Sequence, residues 1–244
     1  GGAGTYLRCS CEEELIMPSV ECRDVHKVYH QGTVDVYALR GVSLTAEKGA
    51  FLALAGPSGS GKTTLLNLIG GLDVPDSGSI SVNGNAYGTM SQSELALLRL
   101  HKIGFVFQSF NLIPVLSALE NVEYVMLLQG VPEKERRERA RHILDEVELA
   151  DMYARRPAQL SGGQQQRVAV ARAIVTNPSI VLADEPTANL DSATGKGLLE
   201  LMVRMNEEKG VTFIFSTHDK MVMDYARRLI YLRDGVIAHD EKRT

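Results

Sequence analysis

The sequence holds 244 residues, 44% of them hydrophobic, with 26 Lys and Arg against 30 Asp and Glu for a net charge of −4. That is enough apolar chain for one large domain with its own core, and it carries no basic excess to grip a nucleic-acid backbone. No apolar run approaches the ~18 residues of a membrane span, and residues 1–10 lack the charged end and apolar stretch of a signal peptide, so a cytosolic chain is expected.

Residues 1–17 show little periodicity and are expected to form a flexible arm. The cysteines are Cys9, Cys11 and Cys22, an odd number that gives no disulfide framework. Cys9-Ser10-Cys11 is too close-set for a C-x-x-C metal site, so all three are expected to be reduced thiols on a loose N-terminal extension. Two strands are predicted at 20–29 and 36–44, with His30-Gln31-Gly32 as the turn. A buried strand at 51–55 runs into a Gly-rich loop and a helix over 63–69. Turn residues follow from Asp73 to Gly78. A short strand at 80–82 then precedes Asn83-Gly84, a hairpin signal.

From about 90 to 160 the pattern turns mainly helical, with helices predicted at 91–100, 118–128 and 133–147 and one brief strand at 103–107. In the last helix Ala140, Ile143, Leu144 and Val147 share a face. The mixed charges of 133–139 suit a solvated surface better than a binding patch. Helices are then predicted at 164–175, 193–206 and 220–226, alternating with buried strands at 180–183 and 211–215. A hairpin at 229–232 and 236–239 closes the chain. Strands alternating with helices argue a parallel sheet covered on both faces.

The loop Gly56-Pro57-Ser58-Gly59-Ser60-Gly61-Lys62-Thr63 fits G-x-x-x-x-G-K-[ST] at every fixed position, between a strand and a helix as that motif requires. Its glycines let successive N–H groups converge on one anion, and the helix start adds its positive dipole end. Lys62 can reach β- and γ-phosphates, and the Thr63 hydroxyl can ligate Mg²⁺. The strand at 180–183 ends in Asp184 and Glu185. An acid at that strand end holds Mg²⁺, which suits Asp184, and the carboxylate beside it, Glu185, can serve as general base to water. Leu160-Ser161-Gly162-Gly163-Gln164 is a second Gly-rich turn that opens a helix. It reads either as an N-cap with glycines or as a second anion site, in a chain with one lysine-bearing loop.

In this order, Gly56 to Thr63, Gln108, Leu160 to Gln164, Asp184-Glu185, Asn189-Leu190-Asp191 and His218 resemble the ATP-binding-cassette (ABC) ATPases over about residues 18–240. The resemblance implies an α/β P-loop NTPase core with a mainly parallel sheet, an N-terminal antiparallel β subdomain and a helical insertion. It also implies ATP and Mg²⁺ as cofactors. Nucleotide would be bound by Tyr29, by Gly56 to Thr63, by Thr64 and by Gln108, and Mg²⁺ by Thr63, Gln108 and Asp184. Glu185 and His218 would be catalytic, His218 holding the γ-phosphate. Tyr29 would stack on adenine, though it also suits an ordinary strand end. In that family two cassettes meet head to tail, so Ser161, Gly162, Gly163, Gln164 and Asp191 would act on ATP held by a second copy.

The stretches at 70–73, 104–114 and 182–191 resemble the group that contains LolD, MacB and FtsE. Ala188 stands where many of those relatives have Gly, and Gln165 where the wider family often has Glu; neither change removes a catalytic group. A membrane permease is the implied partner, docking near Gln108, Phe110, Leu112 and Ile113. No nucleic-acid partner is implied. The expected location is cytoplasmic, on the inner face of the cell membrane through that permease. An FtsE-like signalling role without transport is the alternative, and a soluble non-transport ABC ATPase fits less well.

Overall fold

A computed structural model describes residues 17–32 and 34–243. The predicted arm, with Cys9 and Cys11, lies outside the described residues except for Met17. In chain order the elements begin β1 (Val20–Gln31), β2 (Val34–Ala46), β3 (Phe51–Ala55), α1 (Lys62–Ile69), β4 (Ser77–Val82) and β5 (Asn85–Ala86). Next come α2 (Gln92–Lys102), β6 (Ile103–Val106), α3 (Ala118–Leu128), α4 (Glu133–Glu146) and α5 (Gly162–Ile174). The last are β7 (Ile180–Asp184), α6 (Ser192–Lys209), β8 (Thr212–Thr217), α7 (Lys220–Tyr225), β9 (Arg228–Arg233) and β10 (Val236–Lys242).

The main sheet is six-stranded, in the order β10-β9-β3-β8-β7-β6. Every neighbouring pair runs parallel except the hairpin of β9 and β10. The four-stranded sheet β2-β1-β4-β5 is antiparallel throughout. All five residues of β3 and all six of β8 are buried, as a parallel sheet covered on both faces demands. Alternation sorts them. Phe51, Ala53, Phe213 and Phe215 face a core shared with α3 to α7, while Leu52, Leu54 and Ile214 face α1 and the antiparallel sheet. P-loop strand and helix are thereby clamped between two apolar layers. The strand expected inside the helical segment, β6, pairs with β7 and forms one edge of the main sheet.

Helix starts follow local side-chain chemistry. Ser91 with Glu94, Ser117 with Glu120 and Ser161 with Gln164 each form a reciprocal capping box. The third box pulls the start of α5 back from the expected residue 164 to Gly162, because Ser161 Oγ takes the Gln164 N–H that the first turn of the helix leaves without a partner. One expectation is wrong: Cys22 is not on a loose extension. It sits in β1, 2% exposed in the core, and burial pushes its thiol up to about 12.

Candidate active site

The loop from Gly56 to Thr63 crosses from the end of β3 to the start of α1. Two of its glycines are fixed by neighbours as well as by backbone angle. Gly56 has φ +144, and a Cβ there would stand 2.2 Å from Leu232 O; Gly61 has φ +100, and its Cβ would stand 2.4 Å from Ala38 O. Strands β9 and β2 therefore press on the loop closely enough to exclude any side chain. Lys62 is 6% exposed, and its Nζ donates to Gly56 O at 2.8 Å and Pro57 O at 2.9 Å. Burial lowers its pKa from the ordinary lysine range, against an opposing pull from Glu185 and Asp184. An ammonium has three donors, so two anchor it to the loop and one remains.

Facing the loop, β7 and β8 end side by side. Thr63 Oγ1 donates to Asp184 Oδ1 at 3.0 Å, which joins two of the three expected Mg²⁺ ligands. Glu185 takes the left-handed φ of +45, with its N–H donating to Ser216 O at 2.9 Å. That turn aims its side chain, 14% exposed, toward the end of β8. There Thr217 Oγ1 donates to Glu185 Oε2 at 3.2 Å, and His218 Nδ1 lies 2.7 Å from Oε1. The expected base and the expected γ-phosphate histidine thus form one unit.

These groups open on a cleft of about 410 Å³, lined by Tyr29, Val36, Ala38, Ser58, Gly59, Gly61, Lys62, Thr63, Thr64, Gln108, Glu185 and His218. Asp184 stands behind Thr63. Gly56, Pro57 and Ser60 belong to the loop but not to the cleft wall, and Ser60 is only 2% exposed. Val36 and Ala38 were expected in a strand but not in the cleft; β2, which starts at Val34, two residues before the predicted start, carries both to its wall.

Ser161, Gly162, Gly163, Gln164 and Asp191 do not line this cleft. Ser161 Oγ accepts from Gln164 N at 3.3 Å, and Gln164 Oε1 accepts from Ser161 N at 2.9 Å. Asp191 caps α6, accepting from Ala193 N at 3.1 Å, Thr194 N at 3.0 Å and Thr194 Oγ1 at 2.6 Å. The Thr194 methyl packs on the glycine turn so tightly that a Cβ at Gly163 would come within 2.3 Å of it, whereas one at Gly162 meets nothing nearer than 3.6 Å.

Sequence reasoning missed the residues that tie these parts together. Gln166 is fully buried, and its Nε2 donates to Pro186 O at 2.7 Å, joining α5 to the turn after β7. Asn189 Nδ2 donates to Gln108 O at 2.9 Å. Arg172 donates to the carbonyls of Phe110, at 2.9 Å, and Asn111, at 2.5 Å, which both have left-handed backbones. Asp73 collects Lys27 and the Tyr29 hydroxyl; burial pushes its carboxyl up, but the bonds from Lys27, Tyr29 and Val74 N–H outweigh that and hold it below the usual range. A run of three glutamines does not reveal which is buried, and Asp73 looks like ordinary turn chemistry. The one available signal was Arg172, a charge within the apolar run Val168-Ala169-Val170-Ala171-Arg172-Ala173-Ile174-Val175.

Residues 39–188 match the ABC transporter family, and the chain belongs to it as an ATP-binding and ATP-hydrolysing cassette. The chain is 46% identical to the uncharacterised ABC transporter ATP-binding protein MJ0796 of Methanocaldococcus jannaschii, over 91% of this chain and 97% of that protein. It is 50% identical to the macrolide export ATP-binding/permease protein MacB of Syntrophobacter fumaroxidans, over 91% of this chain but only 31% of MacB. The chain therefore spans about a third of that relative. Among solved structures it resembles the dimeric post-hydrolysis state of MJ0796 bound to ADP and Pi. The TM-score is 0.86 at 45% identity, covering 92% of this chain and 99% of that one.

Proposed function

We propose that this chain is the ATP-hydrolysing subunit of a membrane transport complex and works as a head-to-tail pair with a second copy of itself. The observation that carries this reading is the division of the site. Lys62, Thr63, Gln108, Glu185 and His218 share one cleft, while the turn at Ser161 to Gln164 and the Asp191 cap lie outside it. MJ0796, which this chain covers almost completely, forms a dimer.

Within the cleft each group has a task its position suits. Lys62, anchored on its own loop, presents its remaining N–H to the β- and γ-phosphates. Tyr29, at the outer wall, stacks on adenine. Thr63 and Asp184 offer a hydroxyl and a carboxylate together, a hard oxygen set that fits Mg²⁺, and Gln108 adds an amide. When bound, that ion neutralises charge on the β- and γ-phosphate oxygens. Glu185 takes a proton from water as the water oxygen bonds to the γ-phosphorus and the bridging oxygen leaves with its electron pair on ADP. His218, held through Nδ1, keeps Nε2 for the γ-phosphate.

Among the described residues no helix is long and apolar enough to cross a membrane, and the reading adds a permease with spans of its own. A groove of about 450 Å³ between α2, α3, α5 and the segment after β6 suits that partner. Leu100, Phe105, Ile113, Tyr124 and Leu128 line it, with Leu128 56% exposed. Of the residues expected at the docking site, Ile113 lies in this groove, Gln108 lies in the cleft, Phe110 approaches Gly162, and Leu112 packs on the core. The name of the MacB relative, which joins an ATP-binding part to a permease, supports a permease as occupant, and with it a location on the inner face of a membrane.

The test mixes two inactive variants, Lys62→Ala and Gly162→Asp. Gly162 is the better turn position, because substitution at Gly163 would drive Thr194 aside while an acid at the first helical residue suits the fold. Mixing should restore hydrolysis, since one composite site receives an intact loop from one chain and an intact turn from the other. If strict coupling silences that single site, ATP-dependent pairing of differently tagged chains is the second readout. Neither hydrolysis nor ATP-dependent pairing in the mixture would sink the head-to-tail reading.

A further inference from the structure

The turn after α1 has no part in the chemistry above, yet it reaches the wall of the nucleotide cleft through one carboxylate. Asp73 Oδ2 accepts from the Tyr29 hydroxyl at 2.9 Å, and Asp73 Oδ1 accepts from Lys27 Nζ at 2.9 Å. Lys27 is 8% exposed, and its ammonium also donates to Val74 O at 2.8 Å. Lys27 and Tyr29 stand two apart on β1, across a register irregularity after Lys27, and both side chains reach Asp73. Lys27 Nζ lies over the Tyr29 ring, 5.2 Å from its centre. A cation over one face leaves the other for the cleft, which Tyr29 lines. The proton of the tyrosine hydroxyl is committed to Asp73. What Tyr29 offers a nucleotide is therefore a ring face in a fixed plane.

We infer that Asp73, together with Lys27, is a positioning residue that locks the Tyr29 ring as the platform for the nucleotide base. This rests on the reading of Tyr29 as the adenine-stacking aromatic. A free tyrosine ring must be ordered when the base binds, and a ring clamped at its hydroxyl and covered on its back face has already lost that freedom. The clamp is partly buried, its Lys27 and Asp73 side chains 10% and 29% exposed, unlike a fully exposed ion pair that contributes little. Removing the acid leaves the Lys27 ammonium without its closest counter-charge beside the ring. Placement supports the role as well. Helix α1 begins at the phosphate loop and Asp73 follows its other end, so one helix orients both the phosphate cradle and the aromatic wall.

The experiment measures affinity for ATP and for inorganic tripolyphosphate, which has no base, with the thermal midpoint recorded for every variant. Tyr29→Ala should weaken ATP about 5- to 150-fold, the range of base–aromatic stacking. Asp73→Asn should weaken ATP about 2- to 10-fold, the ordering cost of one immobilised side chain, and raise KM with kcat held. Tripolyphosphate binding should stay within about twofold for both, since the phosphate cradle is untouched. In the Tyr29→Ala background, Asp73→Asn should add no further loss for ATP, which is the signature of action through the ring.

If Tyr29→Ala leaves ATP affinity unchanged, the stacking reading falls and this inference falls with it. If Tyr29→Ala weakens ATP but Asp73→Asn does not, the inference alone is overturned. It is also overturned, as a general structural effect, if Asp73→Asn weakens ATP equally in both backgrounds or weakens tripolyphosphate. Should Asp73→Asn fail to fold, Lys27→Met and Tyr29→Phe, which release the ring from the other two sides of the clamp, go through the same measurements.

Discussion

Replacing Glu185 by Gln isolates the charge of the expected general base from its shape. The side chain is 14% exposed and bonded at both oxygens, to Thr217 at 3.2 Å and His218 at 2.7 Å. A Gln amide fills the same volume and keeps an acceptor for one partner, while the Thr217 hydroxyl can turn to accept from the new NH₂. The fold should therefore lose no more than about 1.5 kcal/mol, the net value of an ordinary hydrogen bond. Turnover should fall much further. Losing a general base costs roughly 10²- to 10⁴-fold, or about 2.7 to 5.4 kcal/mol of barrier. Lys62, Thr63 and the loop N–H groups are unaltered, so ATP binding should persist and the variant should accumulate as an ATP-bound pair. The assay is steady-state phosphate release with saturating Mg²⁺ and ATP, beside an ATP titration and a thermal melt. Release within a factor of three of the parent protein removes Glu185 from the base role. A large drop in melting temperature would instead mean that the bonds to Thr217 and His218 are structural.

Lys62→Ala deletes the buried ammonium and should weaken ATP by roughly 10- to 150-fold, the value of charge-assisted hydrogen bonds; titration with a fluorescent ATP analogue checks this, and unchanged affinity refutes the phosphate-facing role. Cys22, held protonated by burial, should resist iodoacetamide in the folded protein and react once it is unfolded in urea, as read by peptide-level mass spectrometry; rapid labelling under native conditions would place it outside the core. Leu128→Arg puts a charge into the groove between α2 and α3 without touching the cleft. ATP turnover of the purified chain should hold while co-purification with the membrane partner falls, and unchanged co-purification would move the docking site elsewhere.

Much of this architecture was legible because local and global signals agree. The P-loop strand is five apolar residues bounded by turns, and its burial on both faces follows directly. Helix α3 lies at the residues its pattern marks, because Ser117 and Glu120 cap it. The cleft was legible to the extent that its chemistry is written in motifs. What escaped notice depends on contacts between distant segments. Nothing local says that Ala38 crowds Gly61, that Gln166 rather than Gln164 or Gln165 is the buried glutamine, or that Asp73 reaches across to β1. The misplacement of Cys22 has a related origin. Its neighbours Cys9 and Cys11 belong to a low-periodicity stretch, and grouping cysteines by type concealed that Val20, Cys22 and the strand behind them alternate into the core.

The turn at Ser161 shows why its two sequence readings need not compete. As an N-cap, Ser161 Oγ accepts from Gln164 N, and Ser161 O accepts from Gln165 N at 2.9 Å. Those bonds use the serine oxygens as acceptors and leave its hydroxyl proton free. The N–H groups of Gly162 and Gly163 have no partner inside α5, because the first turn of any helix lacks them. The box thus takes up the third N–H, the first intrahelical bond takes up the fourth, and together they fix the direction of the first two, at the positive end of a thirteen-residue helix. Gly163 is pinned from behind by Thr194, itself held by Asp191, so the pair of N–H groups faces outward on a rigid support. A glycine pair is what that geometry requires: Gly163 has no room for a side chain, and a side chain at Gly162 would stand beside the outward-facing donors. On the head-to-tail reading proposed above, the cap therefore prepares the anion site. On that reading Gln164, whose amide oxygen accepts from Ser161 N, is the brace that orients Ser161.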